Sequence, residues 1–107
     1  MVASKGRARG MVKLITDPIK QADKVNFGDI LVTTMTTPDF VPLMEKAGAI
    51  LTNEGGMLCH AAIISREMGI PTIVGTRNAT EVLKDGDLIE VLAEDEGKII
   101  KINEKKN

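Results

Sequence analysis

Several residue types are scarce in this 107-residue chain, and each scarcity excludes a class of protein. The single cysteine, Cys59, excludes an internal disulfide and suits a reducing compartment, which favours the cytoplasm. The chain has no tryptophan or tyrosine and only two phenylalanines, so it offers no aromatic platform for nucleic-acid bases. The formal net charge is −1, which gives no electrostatic reason to bind nucleic acid or an anionic membrane.

Long apolar runs are missing as well. No stretch approaches the ~18 residues of a membrane-spanning helix, and residues 1–6 lack the apolar core of a signal peptide. A composition of 43% apolar and 27% charged residues is nevertheless typical of a folded domain rather than a disordered chain. We therefore expect a single domain over residues 1–107, with residues 1–8 and 103–107 frayed at its ends.

Apolar periodicity predicts alternating strands and helices. Short apolar runs predict strands at residues 11–15, 30–32, 49–51, 72–74, 87–92 and 98–102. Helices are predicted from Thr37-Pro38-Asp39 to Gly48, over residues 59–68, and briefly after Asn78. The alternation in the middle of the chain predicts parallel pairing, and the last two strands predict an antiparallel hairpin. In such sheets, sites form in loops beyond the carboxyl ends of the strands.

The only histidine, His60, lies where one of those loops runs into a helix. Backbone N–H groups and the dipole at a helix N-terminus favour an anion there. The same field disfavours imidazolium, so we expect the neutral, nucleophilic ring that phosphoryl capture requires. The preceding Gly55-Gly56 pair lets the backbone approach such an anion closely. A β-branched side chain at Gly56 is expected to crowd the anion and to oppose a positive φ.

Residues 28 to about 102 resemble the phosphohistidine, or swivelling, domain of phosphoenolpyruvate-utilising enzymes. That family includes phosphoenolpyruvate synthase, pyruvate phosphate dikinase and enzyme I of the sugar phosphotransferase system. The matching segments are Gly28-Asp29-Ile30-Leu31-Val32, Thr36-Thr37-Pro38-Asp39, Thr52-Asn53-Glu54-Gly55-Gly56, Cys59-His60-Ala61-Ala62-Ile63, Ser65-Arg66-Glu67-Met68-Gly69-Ile70-Pro71 and Val74-Gly75. The resemblance implies an α/β fold, namely a swivelling β/β/α phosphohistidine domain with a mixed sheet.

The resemblance also implies a function, that of a phosphoryl carrier. It assigns the accepting histidine to His60 and the loop around the phosphate to Thr52, Gly55, Gly56 and Cys59. It implies two partners, a nucleotide-binding domain and a phosphoenolpyruvate/pyruvate-binding barrel domain, in the same or in separate chains. We expect this chain to bind no metal or cofactor itself, and Mg²⁺ to act in the partner catalytic domains.

Two residues near His60, Leu58 and Arg66, are not expected to take part in regulation or in phosphate binding. Leu58 stands where many relatives carry a threonine, which in the plant dikinases is a regulatory phosphorylation site, so regulation of that kind is not expected here. Arg66 follows His60 by six residues and lies about 240° around the helix from it. This separation favours an ion pair or a partner contact for Arg66 over phosphate binding.

Two alternatives to a carrier remain open at this point. A non-catalytic interaction module would keep the fold without phosphorylation, and it would tolerate the loss of His60. A small metal site built from His60 and Cys59 is disfavoured, because two adjacent ligands cannot fill a tetrahedral site. A catalytic Cys59–His60 dyad is also disfavoured, because adjacent side chains project in different directions and the sequence reveals no group that orients the imidazole.

Overall fold

A computed structural model describes residues 1–102, which form seven strands and three α-helices. The strands are β1 (Val2–Ser4), β2 (Gly6–Leu14), β3 (Ile30–Thr33), β4 (Ala49–Thr52), β5 (Thr72–Ile73), β6 (Leu88–Ala93) and β7 (Lys98–Lys101). The helices are α1 (Val41–Met44), α2 (His60–Met68) and α3 (Ala79–Val82), with 3₁₀ turns at Ala22–Lys24 and Pro38–Phe40. No helix in this described part is long and apolar enough to cross a membrane.

The seven strands form one mixed sheet in the order β1-β5-β4-β3-β2-β6-β7. Neighbours from β5 to β2 pair in parallel, whereas β1 pairs antiparallel with β5 and β6 with β2. Strands β6 and β7 form the antiparallel hairpin that the sequence predicts. The α/β class with a mixed sheet is therefore confirmed. Thr33 of β3 lies opposite Thr52 of β4, so these two parallel strands end level with each other.

The core lies on both faces of the central strands. Every residue of β3 and β4 is buried, as expected for parallel strands covered on both sides. Because side chains alternate along a strand, Leu31 and Ile50 pack with α1, whereas Val32 and Leu51 pack with β6 and α3. The antiparallel half of the sheet thus helps to enclose the apolar cluster that contains Val32 and Leu51.

The N-terminal residues are ordered, so the prediction that residues 1–8 fray is wrong. Strand β1 pairs with β5, and Ala3 is buried against α2. Strand β2 begins at Gly6, five residues before the predicted strand, because exposed Arg7 and Arg9 interrupt its apolar pattern. Pairing with strands distant in sequence orders this segment, and a local pattern does not reveal such pairing. Residues 103–107 lie outside the described part of the chain.

The two longer predicted helices differ in how well they form. Helix α2 begins at His60 and ends at Gly69, which adopts the predicted left-handed conformation with φ 72°. The segment after Thr37 is only a 3₁₀ turn followed by a short α-helix, and Pro42 within that helix has no N–H to donate. Its apolar face still packs as predicted, since Phe40 is buried.

Candidate functional site

Three loops that follow neighbouring parallel strands build the candidate site. They comprise residues 34–37 after β3, 53–59 after β4 and 74–78 after β5. The amides of Asn53 and Glu54 donate to the carbonyls of Thr33 and Thr34, at 3.1 and 3.0 Å. The first two loops therefore leave the sheet side by side, at the carboxyl ends of the strands, where the sequence predicts the site.

Asn53 joins the second loop to the third. Its Nδ2 donates to Thr80 Oγ1 at 2.7 Å, and the Thr80 amide donates back to Asn53 Oδ1 at 3.0 Å. The Arg77 amide donates to the Asn53 carbonyl at 2.8 Å, and the Thr76 hydroxyl donates to the Thr52 carbonyl at 3.0 Å. These bonds involve no charged side chain, and they fix the loop that leads to His60.

His60 is the first residue of α2 and is half-buried. Thr36 Oγ1 lies 2.8 Å from His60 Nδ1, and Thr36 is only 2% exposed. In the tautomer in which Nδ1 donates to this hydroxyl, Nε2 keeps its lone pair and is the nucleophilic atom. Thr36 is thus the orienting group that sequence reasoning missed. Thr36 belongs to the Thr36-Thr37-Pro38-Asp39 segment, which matches the family, and this match was the sequence signal that could have identified it.

The start of α2 presents backbone donors without helical partners. The Cys59 amide donates to the Gly56 carbonyl at 3.2 Å, and the Ile63 amide makes the first helical bond, to the Cys59 carbonyl at 3.0 Å. The N–H groups of His60, Ala61 and Ala62 therefore have no acceptor within the helix, and no side chain caps it. Three such amides at a helix N-terminus favour an anion beside the imidazole.

The two glycines of the loop differ in conformation and in the space around them, whereas their contact with an anion stays a prediction. Gly55 has φ +121°, and a Cβ there would lie 2.8 Å from Cys59 Sγ and 3.4 Å from Val74 Cβ. Gly56 has no positive φ, and a Cβ there would meet no atom of residues 1–102 within 4 Å. The positive φ of this pair belongs to Gly55, which makes the turn, so a side chain at Gly56 has no positive φ to oppose. Gly56 instead borders open space.

Thr52 and Cys59 both support the loop. Thr52 is fully buried, and its hydroxyl donates to the Glu54 carbonyl. Cys59 packs beside Ala62 and Val74 in a small apolar cluster. Direct contact of either residue with a phosphate stays a prediction. Within residues 1–102, no three His, Cys, Asp or Glu side chains converge as metal ligands.

Two exposed apolar side chains and one arginine lie close to His60 in sequence. Arg66 donates to the carbonyls of Ala3 and Met57, so it ties the loop to β1. None of the ion pairs among residues 1–102 includes Arg66, and a partner contact stays a prediction. Leu58 is 85% exposed and Met57 is 57% exposed. These side chains form an apolar margin next to the imidazole.

This fold and site are those of a phosphohistidine domain. A mixed sheet carries one histidine at the start of a helix, directly after an exposed loop. The profile of the family described as "PEP-utilising enzyme, mobile domain" matches residues 25–96. The chain belongs to this family of mobile domains.

Relatives in sequence are much longer than this chain. A probable phosphoenolpyruvate synthase of Archaeoglobus fulgidus is 57% identical over 108 residues, which cover 97% of this chain and 14% of that protein. A phosphoenolpyruvate synthase of Aeropyrum pernix is 55% identical over 89 residues, which cover 83% of this chain and 11% of that protein. The chain therefore spans 11–14% of the length of these two relatives.

Solved structures share the fold. The solution structure of Enzyme I (nEIt) is 30% identical, with a TM-score of 0.59 over 72% of this chain and 32% of that one. The solution structure of a UPF0107 protein has a TM-score of 0.65 and covers 95% of this chain and 96% of that one. At 17% identity, the latter shows likeness of fold alone.

Proposed function

We propose that this chain is the phosphoryl-carrier domain of a phosphoenolpyruvate-utilising enzyme and that His60 accepts the phosphoryl group. The observation that carries the proposal is the 2.8 Å bond between Thr36 Oγ1 and His60 Nδ1. When Nδ1 donates in this bond, Nε2 keeps its lone pair and is the reactive atom. The uncapped amides at the start of α2, the helix that His60 begins, suit the anion that this atom would capture. Membership of the mobile-domain family supports the same assignment.

The chemistry is a phosphoryl transfer to nitrogen. The lone pair of His60 Nε2 attacks the phosphorus atom of the donor and forms a P–N bond. The bond from phosphorus to the leaving oxygen breaks, and its electron pair departs with that oxygen. Nδ1 keeps its proton and its bond to Thr36, while the helix amides stabilise the phosphoryl oxygens. Delivery to the acceptor is the reverse step with a different oxygen.

Partner domains supply the donor and the acceptor in this proposal. We assign these roles to a nucleotide-binding domain and a phosphoenolpyruvate/pyruvate-binding barrel. The small share of its relatives that this chain spans supports such partners. Mg²⁺ acts in those domains, because transfer requires the donor phosphate to be held and its charge neutralised. The free thiol of Cys59 agrees with a cytoplasmic location for the carrier.

Labelling tests the proposal. The chain is incubated with the catalytic domains of a phosphoenolpyruvate synthase, Mg²⁺ and either phosphorus-labelled ATP or phosphoenolpyruvate. We expect an acid-labile, alkali-stable label on the wild type and none on His60→Ala. Thr36→Val removes the hydroxyl but keeps the side-chain shape, and we expect it to be labelled about 10- to 100-fold more slowly.

Two controls separate this result from a structural effect. Thermal unfolding of both variants must show that they remain folded. Label that persists on His60→Ala would place the acceptor elsewhere. A wild-type chain that binds the catalytic domains without becoming labelled would instead support the interaction-module hypothesis.

A further inference from the structure

Arg77 has an unusual backbone conformation at the edge of the site. Its φ is +76°, and among residues 1–102 only Asp95 shares a positive φ without being glycine. This conformation brings the Cβ of an L residue too close to its own backbone, and glycine avoids that cost. Strained residues of this kind persist where surroundings or function demand the side chain. The strained backbone therefore points to a role for the Arg77 side chain.

Hydrogen bonds hold the Arg77 backbone against the loop that leads to His60. The Arg77 amide donates to the Asn53 carbonyl at 2.8 Å, and the Gly75 amide donates to the Glu54 carbonyl at 3.4 Å. A Cβ on Gly75 would lie 3.0 Å from the Gly55 carbonyl oxygen. The segment that carries Arg77 is thus packed directly on the glycine loop.

Arg77 is also the only cationic side chain in the three loops of the site, at residues 34–37, 53–59 and 74–78. Its side chain is exposed, and none of the ion pairs among residues 1–102 includes it. Arg66, the nearest arginine in sequence, is occupied by two backbone carbonyls. A phosphoryl group brings about two negative charges, and a helix N-terminus offsets only about half of one charge. The helix N-terminus alone therefore leaves most of the phosphoryl charge uncompensated.

We propose that Arg77 binds the phosphoryl group carried by His60 and that the strained backbone is retained because it places this guanidinium at the site. The planar fork of arginine donates two parallel hydrogen bonds to phosphoryl oxygens, which lysine cannot do. This inference rests on the carrier function proposed above. It adds a charged contact with the ligand to a site whose loops are joined to one another by uncharged hydrogen bonds.

Arg77→Gly separates the proposed contact from a structural role. Glycine removes the charge and also relieves the positive φ, so the variant should melt at the wild-type temperature or above it. Arg77→Lys keeps the charge but loses the fork. Arg9→Gln is the matched control: Arg9 is exposed on the outer face of β2, is absent from the ion pairs of residues 1–102, and its loss changes net charge equally.

Phosphoramidate, a small donor that needs no partner domain, phosphorylates each chain. His60 Nε2 forms a bond to phosphorus while the phosphoramidate P–N bond breaks, and ammonia leaves with the electron pair and takes up a proton. Phosphorus NMR then follows the second ionisation of the phosphoryl group. A nearby cation favours the dianion, so its midpoint should lie roughly 0.2–0.7 pH units lower in the wild type than in Arg77→Gly.

Further readouts sharpen the test. The labelling rate of Arg77→Gly should fall about tenfold, that of Arg77→Lys less, and that of Arg9→Gln should match the wild type. The difference in midpoint should shrink at 1 M salt. An unchanged midpoint in Arg77→Gly, with His60 labelled normally, would overturn the role of Arg77 alone. A wild-type chain that takes no label at His60 would overturn the carrier function and this inference with it.

Discussion

The loops around His60 and the antiparallel half of the sheet are held together by different interactions. All ion pairs described among residues 1–102 lie around β2, β6 and β7. They are Arg7–Glu94 at 3.0 Å, Lys13–Asp29 at 2.9 Å, Lys24–Asp85 at 2.7 Å and Lys101–Asp87 at 3.5 Å. The site loops are joined to one another instead by amide, hydroxyl and backbone hydrogen bonds, such as those of Asn53 with Thr80. Arg66 also supports one loop, but through backbone carbonyls rather than an ion pair.

This difference shows how a fold can be stable and still leave a site ready for a charged ligand. A carboxylate used as structural support beside the start of α2 would repel a phosphoryl group, and a lysine paired to it would be lost as a counter-charge. Neutral hydrogen bonds fix geometry without either cost. They also respond little to pH and salt, so the two regions should be distinguishable by how their stability responds to solvent.

The largest expected effect lies within the site loop and compares its two glycines. Gly55→Ala must place a side chain at φ +121° and 2.8 Å from Cys59 Sγ, so we expect a loss of about 2–4 kcal/mol in unfolding free energy. Gly56→Ala adds a Cβ in open space, and we expect a change within about 0.5 kcal/mol. Urea unfolding of both variants measures this. Equal losses would contradict the assignment of the turn to Gly55.

The next largest effect tests the uncharged hydrogen bonds that join the site loops. Asn53→Ala removes both hydrogen bonds with Thr80 and should lower the unfolding free energy by about 1–3 kcal/mol. Because no ion pair is involved, we expect the same loss at 0.1 M and at 1 M NaCl. Thr80→Val is the matched variant, since it removes only the hydroxyl of that pair. A loss for Asn53→Ala that shrinks with salt would contradict the neutral character of this region.

The features that the sequence predicted are those encoded by local patterns. His60, the start of α2 and the Gly69 end follow from capping and periodicity within one short segment. The buried strands β3 and β4 follow from continuous apolar runs. The parallel order of the central strands also followed, because alternating strands and helices have few ways to connect.

The missed features depend on contacts between distant segments. Thr36 reaches His60 across 24 positions of sequence, so no local pattern links the two. The positive φ belongs to Gly55, where an added Cβ would also meet Cys59 and Val74, and no pattern within the glycine pair distinguishes Gly55 from Gly56. Strand β1 is ordered only through its pairing with β5. The site residues were therefore easier to name than the groups that position them.

The smallest effect concerns the Lys24–Asp85 ion pair, whose two side chains bond to the backbone of Leu14 in β2. Burial alone raises the pKa of Asp85, but hydrogen bonds from the Leu14 amide and from Lys24, each at 2.7 Å, together hold that pKa below its ordinary value of 3.8. A pKa that is lower in the folded state means that folding favours the carboxylate. Its stabilisation is present above pH 3.8 and is lost as the pH falls through the folded pKa.

Because the Asp85 side chain is 47% exposed, solvent screening limits this contribution to about 0.5 kcal/mol. Asp85→Asn should lose about that amount at pH 7 and should show a shallower fall in unfolding free energy below pH 4. The slope should not vanish, because hydrogen bonds and ion pairs also lower the pKa values of Asp87 and Glu94. Asn53→Ala, less stable at every pH, should keep the wild-type slope. Urea unfolding from pH 2.5 to 7 compares the three chains. A shallower slope in Asn53→Ala would mean that titratable groups also stabilise the site loops.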